Sequence, residues 1–264
     1  MDYLSTLNWQ SVFGLLRDQF LSAQPFPHLV FDNFLKEDVA ALAEKNFPAL
    51  QDPIWYEYDN PLEKKFACNN LLKIPSPLSS ILTGFNNQNF ADELRALTGI
   101  ANLVFDPLWH GSGLHCVKRG GKLDIHLDYS IHPKSGLERR VNLIIFFNSD
   151  WQENYGGELE FWDATISRCV KKISPIANRA VIFLTGDVSY HGHPEPLKCP
   201  SHLTRKSLAL YYLSEPREGV KVRYKGLYVK RPQDPDDPYL ERLRQLRVNP
   251  ETASEVYRVN QHLP

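Results

Sequence analysis

The sequence predicts a mainly β protein with flanking helices, an α+β arrangement in which a β-sandwich or barrel is backed by N-terminal helices. Two observations carry this expectation. Over the first hundred residues apolar side chains recur at helical spacing, and from about residue 101 they switch to period 2 or to short apolar runs parted by turn residues. Helices followed by many strands pack as layers of helix on sheet. With 264 residues, 42% hydrophobic and 23% charged, the chain is long enough for one large core with an appendage.

Each element follows from local chemistry. Trp9, Val12, Phe13, Leu16 and Phe20 mark an amphipathic opening helix, ended by Pro25 and Pro27. Residues 28–32 read as a short strand. Val39, Leu42, Ala43 and Phe47 mark a second helix, stopped by Pro48. Residues 51–76 show no clear period and hold Pro53, Pro61 and Pro75, so a long loop or lid is expected there. Phe90, Leu94 and Leu97 give a further helix, with Asn89 as its N-cap and Gly99 as its stop. Strands follow at 114–117 and 123–128, joined across Arg119-Gly120-Gly121, and a polar loop runs over 129–138. Residues 141–147 are apolar throughout, as in a strand buried on both faces. Glu158 to Trp162 alternates after the turn at Gly156-Gly157, and strands are expected at 180–184 and 207–213. Residues 220–229 suggest a hairpin bent at Gly226. Asp237-Pro238 reads as an N-cap with proline at the first helical position, opening a helix lined by Leu240, Leu243 and Leu246.

Composition excludes several classes. A formal net charge of −1 argues against nucleic acid as a partner. The four cysteines, Cys68, Cys116, Cys169 and Cys199, form no C-x-x-C pair and are too sparse for a disulfide scaffold, so reduced thiols are expected. Met1 to Thr6 lacks a basic stretch leading into an apolar run, and nothing approaches the roughly 20 apolar residues of a membrane span. These features together point to a cytoplasmic protein with no membrane partner.

The chemistry concentrates in Lys122-Leu123-Asp124-Ile125-His126-Leu127-Asp128-Tyr129. Residues two apart on a strand share a face, so His126 and Asp128 aim a nitrogen and a carboxylate oxygen at one point. Two histidines and one carboxylate with open positions make the facial triad of non-haem Fe(II) oxygenases. The second histidine is expected in Ser189-Tyr190-His191-Gly192-His193-Pro194. His191 is preferred over His193, because Pro194 pulls the residue before it away from the strand. On the next strand Arg205, Ser207, Ala209 and Tyr211 share a face. An inward arginine beside a hydroxyl is costly unless an anion pairs with them. Guanidinium binds carboxylate through two parallel hydrogen bonds, and the distal carboxylate of 2-oxoglutarate fits. A lone H-x-D triplet is common by chance, and the ordered set of H-x-D, distant histidine and R-x-S is far more specific.

The run extends beyond those residues. Arg139-Arg140-Val141-Asn142-Leu143, Phe147-Asn148-Ser149-Asp150-Trp151, Tyr155-Gly156-Gly157-Glu158-Leu159, Asn178 to Phe183 and Arg205-Lys206-Ser207 resemble the 2-oxoglutarate and Fe(II)-dependent dioxygenases, within them the prolyl 4-hydroxylase-like group. The resemblance covers roughly residues 26–214. It implies a double-stranded β-helix, or jelly roll, with iron on His126, Asp128 and His191 and 2-oxoglutarate on Arg205 and Ser207. It also implies O2 as oxidant and ascorbate as a reductant. Phe146 stands where several relatives carry a tyrosine that hydrogen-bonds 2-oxoglutarate, and Asn142, four residues earlier on the same face, would take part of that role. Because Asp128 fills the position that halogenating relatives leave for chloride, the implied reaction is hydroxylation, with release of succinate and CO2.

The expected organisation is a dioxygenase domain over residues 1–216, with its β-helix core at about 101–216 and helical support at 1–100. Residues 217–264 would form an extension packing on the core or at a homodimer contact. The first candidate substrate is a prolyl or other amino-acid side chain in a peptide or protein. The alternatives are a free amino acid or natural-product intermediate, or a non-oxidative cupin-like metal protein using His126, His191 and His193. The loop from Tyr129 to Arg140, with His132, Lys134, Arg139 and Arg140, is a candidate contact for an acidic substrate.

Overall fold

The computed structural model describes residues 9–256, with side chains from residue 11 onward. The reading of Met1 to Thr6 and the side chain of Trp9 lie outside the described residues. Helix α1 (Trp9–Ser22) precedes strand β1 (His28–Phe31), helix α2 (Glu37–Lys45) and the strands β2 (Tyr56–Asn60) and β3 (Glu63–Cys68). Helices α3 (Ser76–Phe85) and α4 (Gln88–Thr98) follow. Then come β4 (Val104–Phe105), β5 (Gly113–Lys118), β6 (Lys122–Leu127), β7 (Glu138–Phe146), β8 (Leu159–Trp162) and β9 (Cys169–Ile173). The last elements are β10 (Ala180–Leu184), β11 (His191–His193), β12 (Thr204–Ser214), β13 (Leu227–Tyr228) and α5 (Pro238–Val248). No described helix is long and apolar enough to cross a membrane. All four cysteines are free thiols.

The described strands join in one curled antiparallel sheet, ordered β1-β10-β7-β12-β5-β3-β6-β11-β8-β9, with β13 on β6, β2 on β3 and β4 on β12. Parity decides what each face does. Val141, Leu143 and Ile145 of β7, with Leu208, Leu210 and Tyr212 of β12, turn outward into one core with Phe13, Phe85 and Phe90 of the helices. The intervening residues turn inward: Asn142 and Ile144 of β7, and Arg205, Ser207, Ala209 and Tyr211 of β12, line an interior cavity. Both faces of these strands are covered, so β7 and β12 read as nearly continuous apolar runs.

Three expectations are corrected. Residues 51–76 are not a loop: β2 and β3 form a hairpin, and β3 pairs with both β5 and β6 inside the sheet. Its inward side chains face a cavity instead of a core, so the apolar alternation that marks a strand is missing. Residues 220–229 do not form a hairpin. Only Leu227 and Tyr228 are extended, and they pair with Leu127 and His126 of β6. Backbone groups before them bind the 129–138 loop instead: Ser130 Oγ donates to Lys221 O at 2.6 Å and accepts from Arg223 N at 2.8 Å. The N-cap of α4 is Asn87, not Asn89, its side chain accepting from Phe90 N at 3.1 Å. Gly99 does end that helix, in the left-handed region at φ 74°. The sequence gives no sign of helix α3, because Pro75 and Pro77 suggest loop. A proline in the first turn lacks only an N–H that has no helical partner.

The extension after residue 216 packs on this frame. Asp237 caps α5 through Tyr239 N at 2.8 Å, and Leu243 is buried with Leu62 and Tyr228. Strand β11 lies between β6 and β8, pairing His191 with His126 on one side and Phe161 on the other. A Cβ on Gly192 would sit 2.7 Å from Leu123 O and 2.8 Å from Asp124 O, both backbone atoms of β6. Gly192→Ala is therefore expected to force β11 off β6 and destabilise the protein by about 1–3 kcal/mol, the range for overpacking. Urea denaturation measures this, and an unchanged midpoint would show that β11 can shift freely.

Candidate active site

Adjacent strands build the site. His126 ends the inward row of β6, Asp128 follows it at the strand's C-terminal end, and His191 opens β11 directly opposite His126. The three side chains offer ligand atoms that all lie within 4.8 Å of one another. Asp128 Oδ1 is 3.6 Å from His126 Nε2, and Asp128 Oδ2 is 3.5 Å from His191 Nε2. The other ring nitrogens are occupied: His126 Nδ1 donates to Asp124 O at 2.9 Å and His191 Nδ1 donates to Ser189 O at 2.8 Å. With the protons on Nδ1, both Nε2 lone pairs face the carboxylate. Lone pairs aimed at an ionised acid repel it, and a cation between them converts the repulsion into three ligand bonds. The donor set therefore fits a divalent metal of intermediate hardness such as Fe(II).

Electrostatics keep the donors in their metal-binding forms. Burial opposes ionisation of Asp128, but the Arg139 guanidinium beside it, with His191 and His126, holds its carboxyl well below the usual range. Burial pushes His191 down to about 4, with Asp128 pulling in the opposite direction. Arg139 Nη2 lies 3.0 Å from Asp128 Oδ2, which also accepts from Asn142 Nδ2 at 2.9 Å. Arg139 Nε donates in turn to Asn142 Oδ1 at 2.8 Å, closing a ring of three side chains. The guanidinium is stacked 3.3 Å over the Tyr211 ring and faces the Tyr129 ring at 4.8 Å.

Arg139 is the site residue that sequence reasoning misplaced. It lies on β7 and not in a loop, tied to both Asp128 and Asn142. Strict alternation would put Arg140, not Arg139, on the inward face with Asn142. The pairing of β7 with β12 shifts register between Tyr212 and Leu213, which pair with Val141 and Arg139, and this bulge turns Arg139 inward. Arg140 instead donates to Ser214 Oγ at 3.2 Å. His132 is also no contact for a substrate: it is completely buried, and its Nδ1 accepts from Lys134 N and Ser135 N.

A cavity of about 90 Å³ runs from the triad past Asn142 to Arg205, Ser207 and His193. Arg205 Nε donates to Gly157 O at 2.7 Å, and its guanidinium faces the Phe146 ring at 4.9 Å. Phe146 thus supports the arginine from beneath. Among the described residues the two terminal guanidinium nitrogens have no hydrogen-bond partner. Burial depresses Arg205 to about 10 against the pull of Glu158, so it stays charged at neutral pH, and among the described residues no carboxylate forms an ion pair with it. Ser207 is buried beside it. Asn142 lines the same cavity, with its amide engaged by Asp128 and Arg139. His193 lies outside the triad, its ring buried and its Nδ1 without a hydrogen-bond partner among the described residues. Among the described residues the cupin-like set of three histidines is not assembled: the carboxylate, not His193, completes the cluster.

The comparisons agree with this geometry. The sequence profile of the 2OG-Fe(II) oxygenase superfamily matches residues 112–213, the stretch that carries the triad and the Arg205 strand. Residues 112–213 are thus similar to the 2OG-Fe(II) oxygenase domain. The oxygenase matches no curated protein in sequence. Its fold is that of solved prolyl hydroxylases. One from Pseudomonas putida is 16% identical, with 78% of this chain and 99% of that one aligned at a TM-score of 0.54. One from Trichoplax adhaerens, in complex with a peptide fragment of the hypoxia inducible factor oxygen degradation domain, is 15% identical, with 78% and 90% aligned at 0.55. One from Phytophthora capsici is 18% identical, with 94% and 79% aligned at 0.53. The core is accordingly the jelly roll that the sequence implies, and the enzyme is a 2-oxoglutarate-dependent dioxygenase.

The low value of His191 sets a pH dependence. In the unfolded chain this histidine takes up a proton near 6.5, whereas in the fold it does so only at about 4. Between those values the unfolded state binds more protons, so stability rises with pH across the window and is complete above it. The metal-free oxygenase is expected to melt at progressively lower temperature from pH 6.5 to pH 4.5, and His191→Gln to show a shallower slope. Equal slopes would show that other groups control acid unfolding.

Proposed function

We propose that the oxygenase hydroxylates a prolyl or other amino-acid side chain in a peptide or protein. His126, Asp128 and His191 hold Fe(II), and Arg205 with Ser207 holds the distal carboxylate of 2-oxoglutarate. The observation that carries this reading is the pairing, in one cavity, of a two-histidine, one-carboxylate cluster with a buried arginine that has no ion pair among the described residues. When bound, iron and 2-oxoglutarate supply the oxidising chemistry: O2 is consumed, 2-oxoglutarate becomes succinate and CO2, and a substrate C–H becomes C–OH. Ascorbate would serve as a reductant that restores Fe(II).

The chain's own residues do the positioning. Asp124 O and Ser189 O fix the two imidazole tautomers. Arg139 and Asn142 hold Asp128 by one oxygen, which leaves Oδ1 directed at the metal position. Tyr228, stacked on His126 at 5.2 Å, shields that ligand from the extension side. Phe183 packs edge-on against His191 at 4.9 Å. An apolar and aromatic collar of this kind keeps water from the reacting centre. Arg205, resting on Phe146 and tied to Gly157 O, presents its free edge to a carboxylate in the two-pronged manner of guanidinium. The peptide-bound neighbour is consistent with a peptide substrate, and the substrate cavity described below adds its own reasons.

The test is a 2-oxoglutarate titration under nitrogen, followed by the weak visible band of the Fe(II) complex. A charge-assisted hydrogen bond contributes about 1.5–3 kcal/mol, so Arg205→Ala should weaken 2-oxoglutarate roughly tenfold to a hundredfold while leaving iron affinity nearly unchanged. His126→Ala, Asp128→Ala and His191→Ala should each lose iron, and His193→Ala should retain it. Wild-type affinity for 2-oxoglutarate in Arg205→Ala would place the anchor elsewhere.

A further inference from the structure

The substrate side of the centre is built mostly by residues outside the matched domain. A cavity of about 440 Å³ opens onto His126 and Asp128. Its far walls are Tyr56, Tyr58 and Lys65 from the β2–β3 hairpin, Tyr224 and Lys225 from the extension, and Arg247 from α5. Asp128 is engaged by Arg139, so Glu63 is the one remaining acid in the lining. Glu63 is already shared by two cations, 3.0 Å from Arg247 Nε and 3.6 Å from Lys65 Nζ. That leaves Lys225. It is partly buried, and among the described residues it has no hydrogen bond or ion pair. Burial and the like charge of Arg247 both lower its pKa. The nearby His110 brings no compensating charge, since burial, His132 and other cations push it to about 4. A half-buried ammonium facing a cavity with surplus positive charge is costly until a ligand supplies the anion.

The shape indicates what carries that anion. Small-molecule sites enclose most of their ligand. Here the walls are tyrosines that run out to the mouth, where Tyr56 is 57% exposed and Tyr224 is 42% exposed. Strand β2 forms the rim, with one edge on β3 and its other edge unpaired among the described strands. An aromatic trough with an open strand edge suits an extended chain crossing the metal position, with rings packing along it. We propose that the oxygenase selects a peptide segment bearing an aspartate or glutamate next to the hydroxylated residue, and that Lys225 binds this carboxylate. The inference rests on the peptide reading above. It adds a specificity-determining residue in the extension.

The experiment uses the full chain loaded with Mn(II) and 2-oxoglutarate. Three fluorescein-labelled nonapeptides with a central proline differ only in the two flanking residues, which are Glu, Gln or Lys, and binding is read by polarisation. One charge-assisted contact corresponds to about tenfold or more, so the Glu peptide should bind at least tenfold more tightly than the Gln peptide and more tightly still than the Lys peptide. Lys225→Gln should bring the Glu peptide down to the affinity of the Gln peptide, and Lys225→Glu should make the Lys peptide the tightest. Equal binding of the Glu and Gln peptides, or a Glu preference untouched in both variants, overturns the inference and leaves the peptide reading standing. Failure of all three peptides, with succinate release stimulated instead by free glutamate or aspartate, overturns both. A parallel 2-oxoglutarate titration separates these outcomes from failure of the iron centre itself.

Discussion

The structure depends on keeping one largely buried carboxylate ionised. Asp128 sits where two imidazole nitrogens point their lone pairs at it, an arrangement that disfavours charge on the acid unless cations flank it. Arg139 supplies one from behind, and a metal bound at the triad would supply the other from in front. Arg139 is itself buried, and removing either partner of such a pair strands a charge in the interior. Tyr211 and Tyr129 cover the guanidinium faces, and Asn142 bridges arginine and aspartate. Strands β6, β7 and β12 are therefore coupled through side chains as well as through their ladders. The site is not an addition to the sheet: its charges are part of what fixes how those strands lie.

Parity makes the coupling affordable in a molecule of this size. β7 and β12 send alternate residues to opposite faces, so Val141, Leu143, Leu208 and Leu210 bury against the helices while Asn142, Arg205 and Ser207 face the cavity. One pair of strands anchors both the main hydrophobic core and the proposed co-substrate pocket. The bulge near Arg140 breaks this alternation at the one place where two successive inward residues are needed, Asn142 and Arg139 both reaching Asp128. Bulges commonly re-aim a side chain in this way.

That bulge also marks the boundary of what the sequence reveals. His126, Asp128, His191, Arg205 and Ser207 lie on regular strand positions, where a period of two suffices to bring them together. Arg139 escapes the same rule, because nothing in Glu138-Arg139-Arg140 shows which arginine turns inward. The β2–β3 hairpin escapes for a different reason. Tyr56, Tyr58 and Lys65 face a cavity, so the strands lack the apolar stripe by which a half-buried strand is recognised. Helix α3 hides behind two prolines that start it instead of breaking it. Residues 220–229 look extended, but their partners are a loop and the short free edge of β6, which local pattern does not encode.

Several of the positions least legible in the sequence line the proposed substrate cavity, and they share one cause. A side chain that packs in a core is constrained by its own element, so periodicity reveals it. A side chain held ready for a ligand takes its meaning from a molecule that is not part of the chain. Lys225 illustrates this: in the sequence it is one lysine among several in a polar stretch, and only the fold shows it lining the cavity of His126 and Asp128 with no ion pair among the described residues. The family profile ends at residue 213, before the extension that carries it. The segment from Tyr224 to Tyr228 joins the site because two residues of β13 pair with β6, and Tyr228 in that pairing stacks on His126. A change in that short pairing would alter the cover of a proposed iron ligand and the place of Lys225 together. The proposed shielding of the metal and the proposed choice of substrate are thus linked through one small strand, and substitutions outside the matched domain would change what the oxygenase accepts without touching the proposed ligands.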